Sequence, residues 1–203
     1  MKTRPVPSSA HPLHEFLLVL ELPAVLQEKI HKVREECCRS LESGSGTAAK
    51  AHIGLARFSQ ADRVEPRIVE RLRTIAMGYP PFRVVLKNYG SFPTHSLIFQ
   101  VESQLAVKKL VRALKSAQHL MKPDRDHAPY FYDTAYISLA RKLVPWQYEK
   151  GWLEYRHRHF TGSFIAGGML LLTRRAGSPK FQVVENFDFM NLPVATTQGT
   201  LFA

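Results

Sequence analysis

The chain has 203 residues, a formal net charge of +11 and 45% apolar residues, which suits one domain, or one domain of two similar halves, and leaves no room for large-scale disorder. The basic excess points to anionic partners such as phosphates, nucleic acid or acidic lipid without choosing among them. The two cysteines, Cys37 and Cys38, are adjacent, and helical neighbours point in different directions, so the chain carries no disulfide framework and a reducing, cytoplasmic setting is expected.

In chain order, residues 1–12 read as a loosely held end. The apolar run "FLLVLEL" is short, contains Glu21 and lacks a cleavage site, so neither a signal peptide nor a membrane span is expected. His14 to Leu22 reads as a buried strand. After Pro23, the spacing of Leu26, Ile30, Val33, Cys37 and Leu41 predicts a helix with one apolar face. "ESGSGTAAK" is a small-residue loop leading to a strand that opens "AHIGLARF", Ala51 to Phe58. A helix follows with Pro66 at its start, Ile68, Leu72 and Ile75 on one face and Gly78 at its end, and then the strand "PFRVVLKNYG". The order then recurs. His95 to Glu102 is a strand, and Ser103 stands where it can cap a helix carrying Val107, Leu110, Val111 and Leu114. A polar loop leads to "AYISLARK", Ala135 to Lys142, then to an amphipathic helix in "VPWQYEKGWLEYRHRHF" and closing strands in "SFIAGGMLLLTRR" and "FQVVENFDFMN". Residues 192–203 form a second loose end.

"AHIGLARF" and "AYISLARK" agree at five of eight positions. Their first variable residues, His52 and Tyr136, lie 84 positions apart, and the opening strands, at His14 and His95, lie 81 apart. This describes an internal duplication, about 14–92 and 95–190, whose copies form facing lobes of a single domain over 1–203. Strand alternation puts His52, Gly54 and Ala56 on one face and Ile53 and Leu55 on the other; the second copy places Tyr136, Ser138 and Ala140 against Ile137 and Leu139. The aliphatic pair anchors each strand in its lobe, and the variable polar residues face a shared cleft.

On these residues, and on "FPTHSLIFQVES" and "LARKLVPWQYEKGWLEY", the chain resembles the 2H phosphoesterase superfamily, in particular 2'-5' RNA ligase-like proteins, over roughly residues 14 to 190. The resemblance implies a bilobal α+β fold of two antiparallel sheets around a cleft. It also implies two H-x-[ST]-x tetrapeptides, metal-independent chemistry without a diffusible cofactor, and an RNA or nucleotide phosphodiester as partner. Neither tetrapeptide is intact here: Gly54 stands where the first hydroxyl belongs and Tyr136 where the second histidine belongs, leaving His52 and Ser138. In that chemistry one imidazole takes a proton from the attacking oxygen, another gives one to the leaving oxygen, and the hydroxyls hold the nonbridging phosphate oxygens. His52 is then the acid or base, Ser138 a phosphate ligand, and Tyr136 a phenol with pKa about 10, able to donate but a poor base.

Arg57 and Arg141, five residues after His52 and Tyr136, stand either to grip substrate phosphates or to be solvated strand ends. His95 corresponds to His14 and reads as a strand-edge residue. His157 and His159 lack a third metal ligand in sequence, so no metal site is expected. Trp146, Tyr148 and Trp152 have the spacing of a helix packed on the core rather than of a base-stacking platform. Two functional readings remain open. One is a 2H-type enzyme acting on 2'-5' or 2',3'-cyclic phosphodiesters, with a monomer favoured and the oligomeric state left open. The other is a non-catalytic nucleotide- or RNA-binding module using the same basic cleft.

Overall fold

The computed structural model describes residues 13–43, 49–175 and 177–193. The opening strand, β1 (Leu13–Glu21), has Phe16, Leu18 and Leu20 wholly buried and Leu17 and Val19 nearly so, as an unbroken apolar run covered on both faces must be. Helix α1 (Ala24–Ser40) follows Pro23 and buries Leu26, Ile30, Cys37 and, unexpectedly, Arg34. Val33, expected on that face, is only partly buried. The repeated strand follows as β2 (His52–Ala61), with Ile53 and Leu55 fully buried. The middle of the expected small-residue loop, 44–48, lies outside the described residues. Helix α2 (Glu65–Met77) starts with Pro66 in its first turn and buries Ile68, Leu72 and Ala76. β3 (Phe82–Phe92) closes the first half.

The second half opens with β4 (Ser96–Val101) and α3 (Gln104–Leu114), which buries the four predicted apolar residues. Ser103 precedes α3 but its hydroxyl caps no helix amide; it accepts from the Val85 N–H of β3 at 3.0 Å, so tertiary pairing replaces the expected cap. The loop beyond α3 contains a two-residue strand, β5 (Tyr130–Phe131), not foreseen from sequence. Then come β6 (Tyr136–Ala140), α4 (Pro145–Tyr155), β7 (Thr161–Ala166), β8 (Gly168–Arg175) and β9 (Gln182–Asp188). Of the expected loose ends, 1–12 and 194–203 lie outside the described residues. Leu192 is tied in, its N–H donating to the Met77 carbonyl at 2.8 Å.

The fold is α+β, with two antiparallel sheets ordered β5-β2-β1-β8-β9 and β6-β4-β3-β7. The sheets do not coincide with the two halves of the sequence. β3, from the first half, pairs with β4 and β7 in the second sheet, and β8, from the second half, pairs with β1 in the first. The first sheet thus holds β5, β8 and β9 from the second half and the second sheet holds β3 from the first, which ties the halves into one body.

The two repeated strands share an irregularity. β1 runs in one register with β2 from Leu13↔Ala61 to Leu18↔Ala56, then continues at Val19↔Gly54, leaving Leu55 as an extra residue. β4 pairs with β6 at Leu97↔Ala140 and then at Ile98↔Ser138, leaving out Leu139 in the equivalent place. A bulge of this kind puts two residues opposite one and shifts the alternation beyond it. Ala56 and Ala140, expected to face the cleft with His52 and Tyr136, are buried, and Arg57 and Arg141 are exposed instead. Under strict alternation both arginines would have shared the core face with Ile53 and Ile137.

Candidate functional site

β2 and β6 bring the two variable faces together. His52, Gly54, Tyr136, Ser138 and Arg141 line one cavity of about 80 Å³, joined by Arg34 of α1, Ala49 and Lys50 from the approach to β2, and Tyr132 from just after β5. Arg57 does not line it. Its guanidinium pairs with the Glu15 carboxylate and lies in an adjoining groove of about 540 Å³, whose boundary with the cavity is Tyr132. The two repeated strands thus differ: Arg141 makes no ion pair or hydrogen bond among the described residues and its charge stays with the cavity, whereas Arg57 shares the Glu15 carboxylate with Arg174 of β8 and lies outside it.

Sequence reading did not single out Arg34. It occupies the apolar stripe of α1 between Ile30 and Cys37, is 7% exposed, and has no carboxylate partner among the described residues. Its Nε and Nη2 donate to the Ser138 carbonyl at 2.9 and 2.7 Å, and Nη1 donates to the Ala49 carbonyl at 2.8 Å. One side chain therefore holds the approach to the first repeated strand and the backbone of the second. Its pKa is lowered by burial and by Arg141. A buried cation satisfied only by carbonyl dipoles keeps its field for whatever enters the cavity. The available signal was a charged residue four places after Ile30 on an apolar stripe, where a lone buried arginine calls for a specific partner.

His52 Nδ1 lies 3.1 Å from the Lys50 carbonyl. A carbonyl only accepts, so Nδ1 carries the proton and the neutral ring presents Nε2 as a bare acceptor. Burial holds the pKa of His52 below its ordinary 6.5; the Lys50 carbonyl opposes this, and Arg34 and Arg141 reinforce it. Across the cavity Tyr136 is held edge-on against Phe92, with ring centroids 4.9 Å apart. Burial and the nearby Tyr130 push its phenol above the ordinary 10, partly offset by Arg141. At neutral pH the pocket therefore holds a neutral imidazole, a protonated phenol, the Ser138 hydroxyl and two guanidinium charges.

Gly54 carries no positive φ, so its backbone suits any residue; space is what restricts it. A Cβ there would come within 3.0 to 3.2 Å of Cε2, Cζ and Cδ2 of Tyr132.

The remaining candidates lie outside the cavity. His95 Nδ1 bonds the Pro93 carbonyl at 3.0 Å, Arg156 Nε donates to His157 Nε2 at 2.9 Å, and His159 Nδ1 is 3.4 Å from Asn88 Oδ1. Among the described residues no three potential ligands converge as a metal site. Tyr148 and Trp152 pack against the core, with the Tyr148 hydroxyl 3.1 Å from Ser91 Oγ, while Trp146 is half exposed. No described helix is long and apolar enough to cross a membrane.

Among solved structures, the fold is similar to that of the Thermus thermophilus protein TT0787, with a TM-score of 0.64, 16% identity, and 87% of this chain and 98% of that one covered. It is also similar to E. coli LigT solved with NADP+ (TM-score 0.59, 15% identity, 88% and 99% covered) and with 3'-AMP (TM-score 0.59, 13% identity, 88% and 98% covered). No curated protein matches the chain significantly. A family model described as the 2'-5' RNA ligase superfamily matches residues 22–178, most of the chain and both repeated strands. The two-sheet fold around paired strands, with a site drawn from both, accords with that match, and the chain belongs to the 2'-5' RNA ligase superfamily, the 2H phosphoesterases.

Proposed function

We propose that the cavity takes the phosphodiester of a 2',3'-cyclic or 2'-5'-linked RNA end or nucleotide and hydrolyses it with His52 as base and Tyr136 as acid. The observation that carries this reading is the complementary pair of groups that line one cavity. His52 presents Nε2 as a bare acceptor and Tyr136 offers a phenol O–H, the states a base and an acid need at the start of a turnover. His52 Nε2 removes a proton from water, the water oxygen attacks phosphorus, and the phosphorus bond to the 2' or 3' oxygen breaks as Tyr136 gives that oxygen its proton. Solvent exchange then returns a proton to the phenolate and takes one from the imidazolium. Ser138 Oγ and Arg141 hold the nonbridging oxygens, and the Arg34 charge adds to the same field. No step requires a metal or a diffusible cofactor.

LigT has been solved with NADP+ and with 3'-AMP, and an adenine nucleotide is the first ligand to try here. A reducing, cytoplasmic setting suits Cys37 and Cys38, which both remain thiols. A second reading, binding without turnover, is favoured by Tyr136 itself: raising a phenol further above 10 makes it a weaker acid than the histidine it replaces. Hydrolysis of adenosine 2',3'-cyclic phosphate, with calorimetric binding of the same compound, separates the two. Turnover lost in His52→Ala supports the enzyme. Saturable binding with no turnover establishes the binding module, and failure of both removes the phosphodiester site.

A further inference from the structure

We infer that the Tyr132 hydroxyl is the phosphate-facing donor that the first repeated strand lacks at Gly54, so that a side chain from a different segment completes the oxyanion-holding set. The inference rests on the phosphodiester reading of the cavity. Ser138 lies two residues beyond Tyr136, and Gly54 holds the matching place beyond His52, where the strand offers no hydroxyl. The space is not empty. The three Tyr132 atoms nearest to a Cβ built on Gly54 are Cε2 at 3.0 Å, Cζ at 3.1 Å and Cδ2 at 3.2 Å, the ring edge next to the hydroxyl. Cζ carries that hydroxyl, so the oxygen is one bond away from an atom that touches the place where a side chain at 54 would begin.

The ring is held there. The Tyr132 N–H donates to the carbonyl of Leu55, the bulged residue, at 3.1 Å. The two residues before it pair with Ala56 and Arg57, and Tyr130 packs edge-on against the ring at 5.0 Å between centroids. Tyr132 lines the cavity, and among the described residues its hydroxyl has no hydrogen-bond partner, which leaves the O–H available to a ligand. Tyr136, Arg57 and Arg141 are its electrostatic neighbours, as expected of an oxygen lying between the two strands. A side chain at 54 would press the Tyr132 ring back by a few tenths of an ångström, so Gly54 and Tyr132 act as a compensating pair.

The test is a double-variant cycle read by calorimetric titration with inorganic phosphate, with near-ultraviolet circular dichroism confirming that each variant is folded. Tyr132→Phe keeps the ring over Gly54 and removes only the hydroxyl; it should weaken phosphate about tenfold, the scale of one hydrogen bond to a charged acceptor. Gly54→Thr should also weaken binding, because the ring must move, and Tyr132→Ala, the other single variant of the cycle, should weaken it at least as much as Tyr132→Phe. Gly54→Thr with Tyr132→Ala, which returns a hydroxyl to the strand and clears the ring, should recover to within about threefold of the parent, a strong departure from additivity. If the parent binds phosphate and Tyr132→Phe binds equally well, or if the double variant shows the simple sum of the single losses, the role of Tyr132 is overturned while the phosphodiester reading stands. If the parent binds neither phosphate nor adenosine 2',3'-cyclic phosphate, that reading falls and takes this one with it.

Discussion

Replacing Arg34 with methionine tests how the two halves of the site are held in register. The substitution deletes three charge-assisted hydrogen bonds, two to the Ser138 carbonyl and one to the Ala49 carbonyl. Each such bond is worth about 1.5–3 kcal/mol. Against their loss stands the relief of removing a buried cation, whose desolvation costs several kcal/mol. The expected net loss is about 2–4 kcal/mol in urea unfolding, or about 4–16 °C in Tm for a domain of this size. The charge also leaves the neighbourhood of His52, so the imidazole titration followed by NMR should move upward. It should stay below 6.5, because burial, the largest cause of the depression, remains. Arg34→Lys separates the two roles: its ammonium retains the charge but cannot make the forked contact, so stability should fall while the His52 titration holds. Parental stability together with an unmoved His52 in Arg34→Met would refute the clamp.

His52→Ala should lower hydrolysis of adenosine 2',3'-cyclic phosphate about 10²–10⁴-fold while inorganic phosphate still binds; full activity would remove His52 as the base. With the base depressed and Tyr136 raised, the rate should climb through a pH below 6.5, be level at neutrality and show no fall below pH 10. The same depression bears on stability: as the pH falls through 6.5 the unfolded chain takes up a proton that folded His52 declines. Its contribution is therefore complete above 6.5 and lost toward the folded pKa, and a urea-midpoint profile that is flatter in His52→Ala would check it. Arg141→Ala should weaken phosphate binding and its salt dependence more than Arg57→Ala does, since Arg57 is already paired with Glu15; equal effects would place the anion elsewhere. Restoring both tetrapeptides with Tyr136→His and Gly54→Thr should raise hydrolysis fully only when Tyr132→Ala is added, because the ring occupies the room threonine needs. A double variant as active as the triple would show that the ring yields freely.

What depends on near neighbours in the chain was legible in the sequence. Ile53 and Leu55 against His52 and Gly54 is a period-two pattern, and its recurrence at Ile137 and Leu139 marked the two cavity-lining strands and the family. The helices followed from three- and four-residue apolar spacing for the same reason: burial of one face is a repeating local requirement.

Tertiary structure decided the features that need two distant segments to meet. The matched bulges at Leu55 and Leu139 exist only relative to the partner strands β1 and β4, and they turn Arg57 and Arg141 outward. Which space an outward arginine faces then depends on what lies beside it, which is Glu15 and the adjoining groove for Arg57 and the cavity for Arg141. Arg34 meets Ser138 across 104 positions, and Tyr132 meets Gly54 across a loop whose own pattern announces no strand. β3 from the first half, and β5, β8 and β9 from the second, join the opposite sheets. Sequence periodicity reports which face of an element is buried; it does not report against what, because that is settled by pairing and side-chain volume once the whole chain has packed.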